Sequence, residues 1–400
     1  MQYIEYGTRT FWRANSAFFA GGFVTFAILY SVQPLLPEFT QHFHVAPAVA
    51  SLSLSVTTAM LAVCLLVAAV LSEAWGRKRL MTLALFASAL LALVTACSPN
   101  FIVLVALRTL LGVVLAGLPA IAMAYIAEEF HPNSLGATMG LYVSGTAFGG
   151  MFGRIAVGTL SDFFSWQMAL IAIGLLSLAC AVWFWISLPE SRHFKAGQLS
   201  LKQSRLAFAA HLREPGLLVL FVLAFLLMGS FVTLFNYIGY LLLDPPYRLS
   251  QTAIGWIFVV YLLGSFSAAW MGKLADRHGR GKVLVSGIAA MLAGGLLTLH
   301  PSLVWKVSGV AVFTFGFFGA HSVASGWVGL RAKAHKAQAS ALYLLFYYLG
   351  SSIVGTVGGL FWSRYAWGGV IALIGGLLLV ACGAVWVLVR HVGHVADEGT

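Results

Sequence analysis

Gly272-Lys273-Leu274-Ala275-Asp276-Arg277-His278-Gly279-Arg280-Gly281-Lys282 closes one apolar run of the chain and leads into the next. The phrase at its head, glycine-x-leucine-x-acid, ends an apolar run in three other places. These copies are Ala69-Val70-Leu71-Ser72-Glu73, Gly158-Thr159-Leu160-Ser161-Asp162 and the decayed Gly359-Leu360-Phe361-Trp362-Ser363. Positions 69 and 158 stand nearly as far apart as 272 and 359, so the chain reads as four related quarters paired into two halves. Duplicated halves in an apolar chain suit a carrier, because two similar bodies can rock about a shared central site.

Composition sets the solvent. The 400 residues are 60% hydrophobic and 9% charged, with a mean hydropathy of +0.92. A soluble domain is roughly 25% charged. A bilayer span needs about 20 apolar residues, and such runs lie near 14–37, 47–71, 79–98, 101–126, 136–160 and 166–188. Six more lie near 216–243, 250–274, 283–300, 303–328, 338–361 and 367–389. The expectation is an all-α membrane protein of about twelve transmembrane helices. It forms two six-helix bundles with pseudo-two-fold symmetry, over 1–188 and 215–400, joined by a basic polar linker over 189–214.

Positive charge gives the orientation, since short cytoplasmic loops accumulate Lys and Arg. Arg9, Arg13, Arg77, Lys78, Arg79, Arg192, Lys195, Lys202, Arg205 and Arg213 fall in the N-terminus and alternate connections. Arg277, Arg280, Lys282, Arg331, Lys333, Lys336 and Arg390 continue on the same side, against only Arg248, Lys306 and Arg364 opposite. Both termini are therefore expected in the cytoplasm. The net charge of +11 follows from this asymmetry, so the implied partner is a lipid bilayer and not nucleic acid. The first apolar run lacks a small-residue cleavage site and is expected to remain as a span. Cys64, Cys97, Cys180 and Cys382 show no spacing of a metal site or disulfide framework.

The Gly272–Lys282 stretch and the related Glu73-x-x-Gly76-Arg77-Lys78 resemble the signature loop of the major facilitator superfamily. In the first copy Ala69 replaces the glycine and Glu73 the aspartate. Small residues let helices approach closely, the acid can sit near a helix N-terminus, and arginines can bind it across an interface. Glu73, Gly76, Arg77, Lys78, Gly272, Asp276, Arg277, Gly279 and Arg280 are thus expected to form conformational latches. The plainer reading is that these loops only set topology through charge.

The fifth span carries Gly145, Gly149, Gly150, Gly153, Arg154 and Gly158, and the eleventh carries Gly350, Gly355 and Gly359, at spacings suited to close helix contact. A glycine-rich fifth span resembles the superfamily's exporter motif, which favours export over uptake. Ordinary small-residue packing is the alternative.

Arg108 and Arg154 are the only basic residues placed well inside spans, where a charge costs at least ~2.5 kcal/mol. Glu38 and Asp162 are the acids within sequence reach as counter-charges. Arg108 resembles the arginine that proton-coupled members carry on the fourth span, which implies coupling or substrate orientation; a buried arginine satisfied by backbone carbonyls is the alternative. Midplane acids are missing, which leaves Glu38, Asp162 and His321 as proton-coupling candidates beside Arg108. A lone histidine on an apolar helix is otherwise a hydrogen-bonded packing residue.

In the superfamily, spans 1, 4, 7 and 10 line a central cavity. That resemblance nominates Tyr30, Gln33, Arg108, Asn236, Tyr237, Tyr240 and His321 as substrate-binding, joined by Tyr343 and Tyr347 of span 11. Aromatic walls suit flat, amphipathic or cationic molecules; an interfacial aromatic belt is the alternative. Further strings are similar to one bacterial inner-membrane subgroup, the acriflavine-sensitivity carriers. They are Glu128-Glu129-Phe130-His131-Pro132, Leu188-Pro189-Glu190-Ser191-Arg192, Asn236-Tyr237-Ile238-Gly239-Tyr240 and Ala320-His321-Ser322. The resemblance implies a multi-pass inner-membrane carrier, acting as a monomer, that exports an amphipathic small molecule or drug in exchange for protons. No other cofactor is implied. The competing expectation is a carrier for an anionic or zwitterionic metabolite oriented by Arg108. No metal-spaced cluster, nucleophile elbow or phosphate-cradling loop argues for an enzyme.

Overall fold

The computed structural model describes residues 3–191 and 201–397, without the side chains of residues 69, 70, 73, 74, 120, 201–205, 207 and 391–397. In chain order α1 (Arg9–Tyr30), α2 (Leu36–Phe43), α3 (Pro47–Ala50), α4 (Leu52–Trp75), α5 (Arg77–Ala96), α6 (Phe101–Leu115), α7 (Pro119–Glu129), α8 (Leu135–Phe163) and α9 (Trp166–Ser187) make six passes. After α10 (Leu201–Arg213), six more follow from α11 (Pro215–Leu243), α12 (Gln251–Ile257) with α13 (Tyr261–His278), α14 (Arg280–Leu297), α15 (Leu303–Arg331) and α16 (Lys336–Asp397). α16 is two helices separated by Ala366, whose backbone is non-helical at φ 48°. The all-α fold with about twelve passes is what the apolar runs anticipated.

Among the described residues eight helices are long and apolar enough to cross a bilayer, the last of them the double run of α16. α1 falls short on apolarity because it carries Arg9, Arg13 and Asn15, α8 because glycine, hydroxyl residues and Arg154 replace aliphatic ones, and α6 on length because the fourth pass breaks before Pro119. Four expected spans are thus segmented, the second of them only at Ser51, between α3 and α4. The first stops at Tyr30, before Pro34 and Pro37, where proline supplies no N–H for a continuing ladder. The fourth divides into α6 and α7, and the eighth into α12 and α13.

The chain forms two compact units, one comprising 1–45, 52–198 and 249–258, the other 46–51, 199–248 and 259–400. The short stretches 46–51 and 249–258 depart from the simple division at the linker; of that linker, residues 192–200, with Arg192 and Lys195, lie outside the described residues, as do the side chains of Lys202 and Arg205.

Within the first unit, Gly145, Gly149 and Gly153 form a stripe along α8 against the backbone of Phe19, Phe23 and Ala27 on α1. A Cβ on Gly145 would lie 2.5 Å from the Phe19 carbonyl oxygen, so only glycine permits this approach. Within the second unit Gly350 of α16 meets the Phe225 backbone of α11 in the same way. Phe23 and Phe225 are offset like Gly149 and Gly350, so the duplication read in the sequence reappears as a duplicated helix contact. An aromatic core of Phe11, Phe18, Tyr125, Phe130, Tyr142 and Phe184 fills one end of the first unit.

Candidate functional site

The break after Tyr30 leaves the last carbonyls of α1 without intrahelical donors. Arg108, on α6 and buried, supplies them: its guanidinium donates to the carbonyls of Leu29 at 2.7 Å and Ile28 at 3.1 Å, and its Nε to that of Ser53 at 2.8 Å. A cation at a helix C-terminus also meets the negative end of the helix dipole. Arg154 secures the turn that follows. Its Nε donates to Gln33 Oε1 at 2.7 Å, its Nη1 to the Gly150 carbonyl at 2.6 Å, and its guanidinium lies 4.0 Å over the Tyr30 ring. Gln33 therefore belongs to a turn and not to a span.

The expectation that Glu38 and Asp162 neutralise these arginines is corrected. Glu38, on α2, accepts from the backbone N–H of Trp166 at the start of α9. Asp162 accepts from Thr252 at the start of α12, 2.7 Å from the hydroxyl and 3.3 Å from the amide. Both acids meet the positive ends of helices while Arg108 meets a negative end, so helix termini take the place of ion pairs. Arg154, Gly158 and Asp162 share one face of α8, four residues apart. Along it lie Phe258, with its ring 4.9 Å from the Arg154 guanidinium, then Gly255 and Thr252. A Cβ on Gly158 would fall 2.8 Å from the Gln251 carbonyl oxygen. In the second unit the repeat-related Gly359 receives the backbone of Ala48 in α3 in the same manner. The glycine that ends each even quarter is thus a docking notch for a short helix.

In the second unit His321 stands near the middle of α15, its Nδ1 2.9 Å from the Tyr343 hydroxyl. Its ring is parallel to that of Phe317 at 5.8 Å and lies 4.7 Å from that of Tyr347. Phe317 in turn stacks on Phe231 of α11 at 3.8 Å. His321, Tyr343 and Tyr347, nominated separately, form one cluster in which Tyr343 is buried and the other two are half-buried. Phe231 and Phe317 were missed because single aromatics on apolar helices carry no signal of their own.

Tyr237 is turned elsewhere. Its hydroxyl donates to the Gly355 carbonyl of α16 at 2.7 Å, its ring is stacked 6.0 Å from that of Tyr240, and Tyr240 lies 5.7 Å from Trp362. The two tyrosines occupy the α11–α16 contact within one unit, and Asn236 beside them is buried. Lys306, read as a loop residue, is also buried: it lies in the first turn of α15 and donates to the Thr298 carbonyl at the end of α14, 2.7 Å away.

The two signature turns share a backbone. Gly76 and Gly279 adopt φ of 86° and 90°, a region open to glycine and strained for other residues, where α4 turns into α5 and α13 into α14. Their side chains diverge. Arg77 reaches Glu128 on α7 with two hydrogen bonds, 2.6 and 2.5 Å, and Ser72 at 3.0 Å. Lys78 pairs with Glu190 at 3.1 Å. Arg280 binds Asp276 at 3.0 Å, four residues back across the Gly279 turn, so this pair lies within the turn itself. Gly272 has room, with Ser322 Oγ 3.8 Å from where a Cβ would sit, so close approach is not what its position requires here. The Glu73 side chain lies outside the described residues. Arg277 is exposed.

Comparison with known proteins agrees with this architecture. The Major Facilitator Superfamily profile matches residues 18–245 and 233–400. The chain is 54% identical over 381 residues to the uncharacterized MFS-type transporter YybF of Bacillus subtilis (strain 168), covering 95% of this chain and 94% of that one. It is 48% identical over 380 residues to the inner membrane transport protein YnfM of Escherichia coli (strain K12), covering 95% and 91%. In fold it resembles a bacterial homolog of the human lysosomal transporter Spinster, with a TM-score of 0.80 at 13% identity over 96% of this chain and 98% of that one. It also resembles a mutant of the nucleoside transporter NupG, with a TM-score of 0.79 at 16% identity over 94% and 99%. The chain is a multi-pass membrane transporter and belongs to the Major Facilitator Superfamily.

Proposed function

We propose that the protein exports amphipathic small molecules across the cell inner membrane in exchange for protons, by alternating access, with His321 as the group that titrates. The observation that carries this reading is the placement of His321. Every acid whose side chain is described lies in a loop or at a helix end, whereas His321 stands mid-helix on α15 among Phe317, Tyr343 and Tyr347. Histidine is the side chain whose ordinary titration falls near neutral pH, and an ionisable group within a membrane helix is by default a functional candidate. The aromatic rings beside it offer stacking and cation–π surfaces to a flat or cationic cargo. Export, with both termini cytoplasmic and the monomer as the working form, is favoured by the glycine stripe of α8 and by the loop charges.

The test is a proteoliposome assay with ethidium as the probe and an imposed pH gradient. Wild type should accumulate dye against its gradient, and His321→Gln should lose that accumulation while dye exchange without a pH gradient persists. Equal pH-driven accumulation by His321→Gln would refute the assignment.

One observation favours a second reading. Among the described residues Arg108 has carbonyl partners only, so its positive charge is met there by dipoles and not by a carboxylate. A carrier of anionic or zwitterionic metabolites oriented by Arg108 would show dye transport blocked by a carboxylated solute such as benzoate.

A further inference from the structure

The turn from α4 to α5 carries three consecutive cations, and two of them are engaged: Arg77 with Glu128 and Ser72, Lys78 with Glu190. Arg79 is exposed and has no ion pair or hydrogen bond among the described residues. One turn further along the same face of α5 comes Leu83. Leu83 is a wall of an apolar groove of about 290 Å³ whose opposite wall is Val67 and Leu71 on α4 and whose third side is Val113 and Gly117. Val67, Leu71 and Leu83 are exposed, as is Trp75, which ends the groove at the Arg79 turn. The groove exists because the fourth pass breaks between α6 and α7; Gly117, at the break, packs so closely that a Cβ there would lie 2.6 Å from that of Ala84.

Its dimensions match a lipid. From Cys64 to Trp75 the α4 wall runs eleven residues, roughly 16 Å at 1.5 Å each. That is about half of the ~30 Å hydrocarbon core, or the depth of one leaflet. The groove is apolar along its length and has a tryptophan and an unengaged guanidinium at one end, the arrangement expected where acyl chain gives way to headgroup. We propose that this groove binds an anionic phospholipid, with one acyl chain lying between α4 and α5 and the phosphate on Arg79. The site is independent of the cargo and coupling assignments above.

The test uses the full chain, purified in detergent, stripped of lipid and titrated with dioleoylphosphatidylglycerol or dioleoylphosphatidylcholine under native mass spectrometry. The anionic lipid should bind about fivefold more tightly than the zwitterionic one, the preference expected of one interfacial cation. Arg79→Gln should reduce the preference to parity. Arg390→Gln should leave it intact, because that arginine lies over Trp386, 3.7 Å from the ring, and is not among the residues lining the groove. Val67→Trp, which fills the groove from its exposed α4 wall, should abolish tight retention of both lipids. The proposal is overturned if Arg79→Gln retains the preference, if Arg390→Gln removes it equally, or if Val67→Trp retains both lipids.

Discussion

The guanidinium of Arg108 lies 2.7 Å from the carbonyl oxygen of Leu29, in the last turn of α1, where charge alone would have called for a carboxylate. Replacing Arg108 with Met would strand the Leu29 carbonyl, while that of Ile28 keeps the Ser31 hydroxyl at 2.8 Å and that of Ser53 the Thr57 hydroxyl at 3.2 Å. An unsatisfied buried group costs about 1–3 kcal/mol, so Arg108→Met should lower stability by about that amount. Glu38→Gln should cost about 1 kcal/mol or less, since it changes only the charge beside a helix terminus. Thermal unfolding of the purified protein separates the two. A loss from Glu38→Gln as large as that from Arg108→Met would restore the ion-pair explanation.

Gly158 and Gly255 cross at van der Waals distance, with Thr252 bonded to Asp162 one turn beyond. A methyl on Gly158 would fall 2.8 Å from the Gln251 carbonyl oxygen and must push α12 off α8, stretching the Asp162–Thr252 contact, whereas one on Gly255 would meet the Arg154 carbonyl oxygen at 3.3 Å and asks for a smaller shift. Gly158→Ala should destabilise by about 1–3 kcal/mol and Gly255→Ala by less. The double variant should cost clearly less than their sum, because one displacement accommodates both methyls. Strict additivity in melting experiments would show that the two glycines do not share a crossing.

Glu214 both caps α11, accepting from the Leu217 amide at 2.5 Å, and receives two nitrogens of Arg331, the nearer at 2.7 Å. Burial alone would raise its carboxyl, but the Arg331 and backbone hydrogen bonds outweigh that and hold it below its usual 4.5. A depressed folded value means that the stabilisation is present above the unfolded value, about 4.3. It is lost as pH falls through the lower folded value. Melting temperature measured from pH 7 downward should therefore show an acid limb below about 4.3 that is weaker in Glu214→Gln. An unchanged limb would place the acid sensitivity elsewhere.

Arg77 meets Glu128 through two guanidinium nitrogens and also reaches Ser72, a geometry an ammonium cannot reproduce. Arg77→Lys should lose about 1–2 kcal/mol despite keeping the charge. Glu128→Gln should cost a similar amount, and the double variant should show strong coupling in a thermodynamic cycle. Independence of the two positions would mean that the pair contributes nothing beyond its separate packing.

Much of the fold can be read without coordinates because its causes are local or periodic. Runs of apolar residues long enough for a bilayer mark the passes, and the recurrence of one phrase marks the quarters. Gly149 and Gly350 could be aligned by offset alone, and each proves to meet a phenylalanine backbone on a partner helix. The site is less legible. His321, Tyr343 and Tyr347 are visible as polar or aromatic exceptions, but their assembly around Phe317 depends on how α15 packs against α11 and α16. Tyr237 and Tyr240 carry the same sequence signal and are turned into a helix contact instead.

The sequence by itself determined a twice-duplicated helical membrane protein and the places where glycine must stand, because hydropathy, helix length and the absence of a side chain are properties of residues taken one at a time. The partners of its buried charges were decided only by tertiary structure. A carbonyl freed by a helix break, as at Leu29, or an amide exposed at a helix start, as at Thr252, has no distinctive letter in the sequence. Such backbone dipoles become ligands for Arg108 and Asp162 only when the helices end where they do and pack as they do.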